Sequence, residues 1–301
     1  MTYSIVARDP ASGAFGVAVQ SHFFGVGPVV PWLEPGIGAI ATQATVNVSF
    51  GPIGLELLRS GRAAPDVIAA LVASDTGSAE RQIGVVDRDG VAAAHTGERC
   101  IPAAGHVVGD GFSVQGNLLR AEACWPAMED AYRRSEGSPF WERLLLALEA
   151  AEAAGGDVRG RQSAAIVVVS GEPVAQAWQG RLLDVRVDDH PNPVPELRRL
   201  AEMSEAYRLM GELEVGAADH RPVEERYADA RRLAPDAMEL VFWRGIELAL
   251  GGDEEAAQAE LQVAFSADPS WREALQHVAE AGLVGDDPAL VGRLLASASP
   301  G

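Results

Sequence analysis

Short apolar runs broken by Gly, Pro, Asp and Asn fill the first two thirds of this chain. Runs of that length between turn residues predict buried strands, and apolar residues at i, i+3, i+4 spacing predict helices. Residues 3–7 and 15–20 read as a hairpin joined by the turn Asp9-Pro10-Ala11-Ser12-Gly13. Residues 25–31 read as a loop and 36–42 as a buried strand. The Gly/Pro-marked stretch 47–54 reads as a loop, followed by a helix from Leu55 to Gly61 and another over 65–72. Strands are expected over 82–87, 91–95, 106–108 and 111–115, then helices over 122–135 and 140–154. Strands over 163–170, 175–179 and 183–187 complete a layered α+β domain spanning residues 1–200, with sheets inside and helices outside.

After about Glu196 the pattern turns almost wholly helical, giving a second domain over 201–301. Here a period of 34 pairs Gly211 with Gly245, Ala230 with Ala264 and Pro235 with Pro269. Small residues where two helices approach, and a proline that stops the second, are the marks of a tetratricopeptide-like repeat. Two such units are few for a free-standing array, so the segment calls for a covering surface: the first domain, a second copy in a homo-oligomer, or a protein partner.

Composition narrows the function classes. The net charge of −19 argues against nucleic acid and anionic membranes as partners. Residues 201–301 hold 20 acids against 8 arginines and so carry −12 of it. No apolar run reaches membrane-spanning length and no signal pattern opens the chain, so a cytoplasmic protein is expected. Every one of the 24 basic residues is arginine. That excludes lysine Schiff bases and a P-loop lysine, and leaves arginine to bind any anionic group. Cys100 and Cys124 lack metal-ligand spacing, and His95 and His106 lack acidic companions, so neither a metal nor a cofactor is expected.

Candidate chemistry begins at Thr2. Its small side chain favours removal of Met1, which would leave a threonine carrying both a hydroxyl nucleophile and a free α-amine to act as its base. Polar clusters interrupt the apolar strands at Gln20-Ser21-His22, at Thr42-Gln43 with Asn47, at Gln115-Gly116-Asn117, and along the loop from Asp157 to Ser163. Strand ends on one side of a layered fold gather such groups into one cleft, where amides and backbone N–H groups can serve an oxyanion.

These residues carry a resemblance. Thr2 to Asp9 (TYSIVARD), Val30-Pro31-Trp32, Ala41-Thr42-Gln43, Gly51 to Leu58 (GPIGLELL), Arg81 to Asp87 (RQIGVVD), Ala94-His95-Thr96-Gly97, Val114-Gln115-Gly116-Asn117, Gly155 to Ala165 and Arg186 to Pro191 together resemble the bacterial domain-of-unknown-function-1028 family, grouped with the N-terminal-nucleophile hydrolases. The resemblance spans about residues 2–200. It implies a four-layer αββα sandwich and a reaction class, and names no substrate. Asp157 with Gly160-Arg161 is similar to the proteasome loop that supports the terminal threonine, although Gly160 stands where that loop has a serine. The assisting lysine is missing, and His22 lies near its place.

The resulting expectation is an amidohydrolase acting on a small amide or peptide-like substrate, with Thr2, His22, Asn117 and Asp157 catalytic. Gln43, Asn47, Gln115 and Arg161 are the expected substrate-binding residues, Arg161 holding a carboxylate. The alternative is an inactive ligand-binding sandwich whose helical tail engages a protein partner.

Overall fold

The computed structural model describes residues 2–211, 219–285 and 287–296, and the chain passes from one compact unit to a second at Ser204/Glu205. Met1, whose removal the sequence suggests, lies outside the described residues.

Unit one holds two antiparallel sheets. Strands β1 (Thr2–Arg8), β2 (Phe15–Ser21), β3 (Pro31–Glu34), β4 (Gly38–Ala44), β5 (Arg81–Asp87), β6 (Ala92–Thr96), β7 (Gly105–Gly109), β8 (Phe112–Asn117), β9 (Ser163–Val169) and β10 (Arg181–Val187) form a six-stranded sheet, order β10-β9-β2-β1-β8-β7, and a four-stranded one, order β3-β4-β5-β6. Residues 15–19 of β2, 164–169 of β9 and 5–7 of β1 read as apolar runs because both of their faces are covered. Along β1, Tyr3, Ile5 and Ala7 enter one core with Met128, Leu144 and Leu148, from helices α3 (Cys124–Arg134) and α4 (Phe140–Ala153). Val6 on the opposite face packs with Val17, Val19, Ala41 and Val86 between the sheets. The outer face of the smaller sheet meets α1 (Phe50–Arg59) and α2 (Ala64–Ser74) through Ile40, Leu58, Leu71 and Ile83.

Three expectations need correction. Helix α1 starts at Phe50, five residues before the expected Leu55. Its glycines allow close packing: a Cβ on Gly51 would meet the Trp32 ring at 2.2 Å, and one on Gly54 would meet Ile40 at 2.4 Å. Pro52 sits in the first turn, where its missing N–H costs nothing. The segment taken as loop contains edge strand β3, with Pro31 at its first residue, a position that asks little of the ladder. Residues 175–179 are no strand: a short 3₁₀ helix spans Ala177–Gly180, with side chains of Gln176 and Gln179 capping each other's backbone.

The last helix assigned in part to unit one, α5 (Pro193–Met210), gives Val194, Leu197 and Ala201 to the core beneath α4. Unit two contains α6 (Val223–Leu233), α7 (Met238–Leu250), α8 (Glu254–Ala267), α9 (Ser270–Glu280) and α10 (Pro288–Ala296), closed around Phe242, Ile246, Leu261, Leu275 and Leu294. Gly245 lies inside α7, where an added Cβ would strike Leu261 Cγ at 2.7 Å. Gly211 follows the end of α5 with φ +81° and has open space around it, so the two period-34 glycines play different parts. Ala230 and Ala264 are both fully buried within helices. No described helix is long and apolar enough to cross a membrane.

Candidate active site

Antiparallel register assembles the site. Thr2 opens β1, paired with Ser21 at the end of β2 and with Asn117 at the end of β8; Ser21 in turn pairs with Ser163 at the start of β9. In the facing sheet, Gln43 near the end of β4 pairs with Gln82 of β5, which pairs with Thr96 at the end of β6. One end of both sheets therefore collects hydroxyl and amide side chains. Side-chain alternation points Thr2 and Ser4 into the gap between sheets, away from the helix-covered face that takes Tyr3 and Ile5.

Thr2 is 5% exposed, and its Oγ1 donates to Ser21 Oγ at 3.1 Å. Its carbonyl oxygen receives Gln43 Nε2 and Asn117 Nδ2, each at 3.4 Å. Both amides also donate to Gln82 Oε1, each at 2.8 Å. Gln82 Nε2 donates to Gly116 O at 2.7 Å, Thr96 Oγ1 at 2.9 Å and Gly105 O at 3.1 Å. A parallel chain runs deeper: Gln115 Nε2 donates to Ser4 Oγ at 2.6 Å, and Ser4 Oγ donates to Gln43 Oε1 at 2.7 Å. Burial without partners would make each of these groups costly; linked, they fix one geometry around Thr2. The two amides bracket the backbone of Thr2 and leave its hydroxyl to Ser21. Residues with φ in the left-handed region follow both: Ala44 (72°) after Gln43 and Leu118 (49°) after Asn117. Such strain persists where the surroundings over-determine it.

The Asp157 loop closes the same end. Asp157 Oδ2 accepts from the His22 backbone N at 3.0 Å and from Arg159 Nη2 at 2.9 Å, and Oδ1 accepts from Arg159 N at 2.9 Å. An Asp157–Leu119 bridge ties the loop to the exit of β8. Asp157 thus holds the backbone, not the ring, of His22. The His22 Nδ1 is buried without a partner, next to Gly160.

Three of the expected substrate-binding residues have partners within the protein. Arg161 ion-pairs with Glu152 and donates to Asn192 Oδ1 at 3.0 Å. Glu152 also accepts from Tyr3 OH. Burial, and next the Glu152 charge, push the Tyr3 phenol well above its ordinary pKa. Arg161 therefore belongs with Tyr3, on the helix-covered side of β1. Asn47 builds a turn: its Oδ1 accepts from Ser49 N and its Nδ2 donates to Asp75, both at 3.2 Å. Arg81 above all, then the Gly77 N–H and Asn47, hold Asp75 down to about 2. Gln115 lies fully inside the inter-sheet network. Sequence reasoning missed Gln82 as a site residue, although one amide in the apolar run of β5 was a readable signal.

The class of protein this fold defines is an α+β protein of two facing antiparallel sheets, with a hydroxyl–amide cluster at the start of its first strand and a helical C-terminal region. The chain belongs to a family of unknown function, DUF1028, whose pattern matches residues 2–197. It is similar to protein SPO2555 from Silicibacter pomeroyi, a DUF1028 crystal structure: 33% identity and TM-score 0.60, over 66% of this chain and 87% of that one. No curated protein matches the chain.

Proposed function

We propose that the protein is an amidohydrolase that cleaves a small amide or peptide-like bond through Thr2, exposed by removal of Met1. The observation that carries this reading is the immobilised Thr2: its carbonyl is gripped by two buried amides while its hydroxyl is left to one other hydroxyl, Ser21. Helix–sheet–sheet–helix layering supports it, being the αββα order of the N-terminal-nucleophile hydrolases. In the reaction Thr2 Oγ1 attacks the carbonyl carbon, and the α-amine takes the hydroxyl proton and returns it to the leaving amine. Water then hydrolyses the acyl ester, with the amine again as base. Gln43 and Asn117 act as positioning residues for the nucleophile, and Asp157 positions the His22 backbone beside it. No cofactor enters this scheme. The pair α7–α8, with Gly245 against Leu261, is read as one tetratricopeptide-like hairpin available to a protein partner.

An α-amine of ordinary pKa, about 7.7–8.0, is partly protonated near neutrality, so kcat/KM should rise with pH along a limb reporting the free amine. A screen of simple amides, N-acyl amino acids and short peptides supplies the substrate. Thr2→Ala should abolish turnover and Thr2→Ser retain part of it. A retained N-terminal extension should be as damaging as Thr2→Ala, because it converts the base into an amide. Turnover by the extended protein would defeat the proposal. The alternative is an inactive ligand-binding sandwich of the same fold. A folded protein that binds compounds of the screen and cleaves none would establish that alternative.

A further inference from the structure

The opposite end of β1 carries a second polar site. Arg8 closes the strand that Thr2 opens, about 20 Å away at the rise of a β-strand. There a cleft of about 500 Å³ is lined by Arg8, Arg133 and Arg143 together with Asp89, Asp110 and Glu136, over a floor of Phe112 and Tyr132.

Two of these guanidiniums are thinly compensated. Arg143 is 8% exposed and stacks on Tyr132 with its Cζ 4.2 Å from the ring centroid. Its Nη1 reaches Asp9 Oδ1 only at 3.6 Å, and its Nε is buried without a partner. The other oxygen of Asp9, Oδ2, accepts from Ser12 N at 3.0 Å and Ser12 Oγ at 2.6 Å, so among the described residues Arg143 has this one distant carboxylate as its counter-ion. The Nε of Arg8 is likewise buried without a partner. A guanidinium has five donors, and a buried cation with so few of them used is costly. Arg133 differs, being paired with Glu129 at 2.9 Å and stacked over Phe112 at 5.0 Å.

The cleft thus offers two under-used cations, with three exposed carboxylates at its rim. A dianion such as phosphate would be drawn to the arginines and repelled by the rim. A monocarboxylate that also carries an ammonium group satisfies both.

We propose that this cleft is a binding site for a small zwitterion, an α-amino acid or short peptide, with its carboxylate on Arg8 and Arg143 and its ammonium on Asp89, Asp110 and Glu136. The site is separate from Thr2 and does not depend on the proposed hydrolysis.

Isothermal calorimetry on the full chain tests it, with glycylglycine, acetate, methylammonium and inorganic phosphate as probes. Glycylglycine should bind saturably and more tightly than each of the other three. Arg8→Gln should weaken it about tenfold or more, as expected for a lost charge-assisted hydrogen bond. The double change Asp110→Asn with Glu136→Gln, at exposed positions where substitutions ordinarily cost little stability, should weaken glycylglycine while leaving acetate unchanged or tighter. No saturable heat with glycylglycine at roughly 10 mM overturns the site. Phosphate or acetate binding as tightly as glycylglycine overturns the ligand class. Glycylglycine binding that survives Arg8→Gln, or that falls only because the variant's melting temperature collapses while the rim double variant binds normally, overturns the assignment to this cleft.

Discussion

Gln82 joins the two sheets at the Thr2 end, and replacing it with leucine measures what the buried amide network contributes. The volumes are similar, so the change is mainly one of lost hydrogen bonds. Without Oε1, the donors Gln43 Nε2 and Asn117 Nδ2 lose their 2.8 Å partners and keep only the 3.4 Å contacts to Thr2 O. Without Nε2, Gly116 O loses a 2.7 Å donor. Thr96 Oγ1 suffers less, because it keeps His106 Nδ1 at 2.8 Å. Each buried group left unsatisfied costs about 1–3 kcal/mol, so the two amide donors alone predict a loss of about 2–6 kcal/mol. Against a total of about 5–15 kcal/mol that is a large fraction. Urea denaturation, fitted with a separate transition for each unit, gives the loss for unit one. Gln82→Leu combined with Asn117→Leu removes a donor along with its acceptor, and should destabilise by clearly less than the sum of the single changes. A loss within about 0.5 kcal/mol, the range of an ordinary surface substitution, would refute the network's role.

Two further outcomes follow from the same geometry. Desolvation first, and then the His95 charge, lower the His106 pKa below its usual value of 6.5. The unfolded chain then takes up the proton first, so stability should fall as pH drops from about 6.5 toward the folded-state value. An NMR titration showing a midpoint at or above 6.5 would contradict this. In unit two, Gly245→Val forces a Cβ to within 2.7 Å of Leu261 Cγ, and overpacking of that kind costs about 1–3 kcal/mol. Calorimetry should show the loss in the unit-two transition, with Thr2-dependent hydrolysis unchanged. An unaltered unit-two transition would show that α7 and α8 do not meet there.

Much of this arrangement was legible because the central strands bury both faces: residues 5–7 of β1, 15–19 of β2 and 164–169 of β9 are apolar runs, with polar residues gathered at the strand ends. Helix α1 was half hidden, since Gly51 and Gly54, which let it approach Trp32 and Ile40, look in sequence like loop residues. The polar strand ends were visible as clusters, but not their connections. Gln43 meets Gln82 across paired strands, and Arg161 meets Glu152 and Asn192 from separate segments. Asn117 was readable as a polar residue at a strand end, but its 3.4 Å approach to the Thr2 carbonyl depends on the β1–β8 pairing and was not. In the tail, equal spacing of Gly211 and Gly245 suggested equal roles. Only Gly245 stands inside a helix against a neighbour; the other ends a helix with positive φ.

Labelling of the first residue tests the account's central claim most directly. The purified protein, treated with an acylating electrophile such as a β-lactone, is measured by intact mass and then by peptide fragmentation. The account predicts a chain lacking Met1, with a single acyl group as an ester on Thr2 Oγ1, and no label on Thr2→Ala. A hydrolytically active protein that retains Met1, or one labelled only elsewhere in the chain, would contradict it.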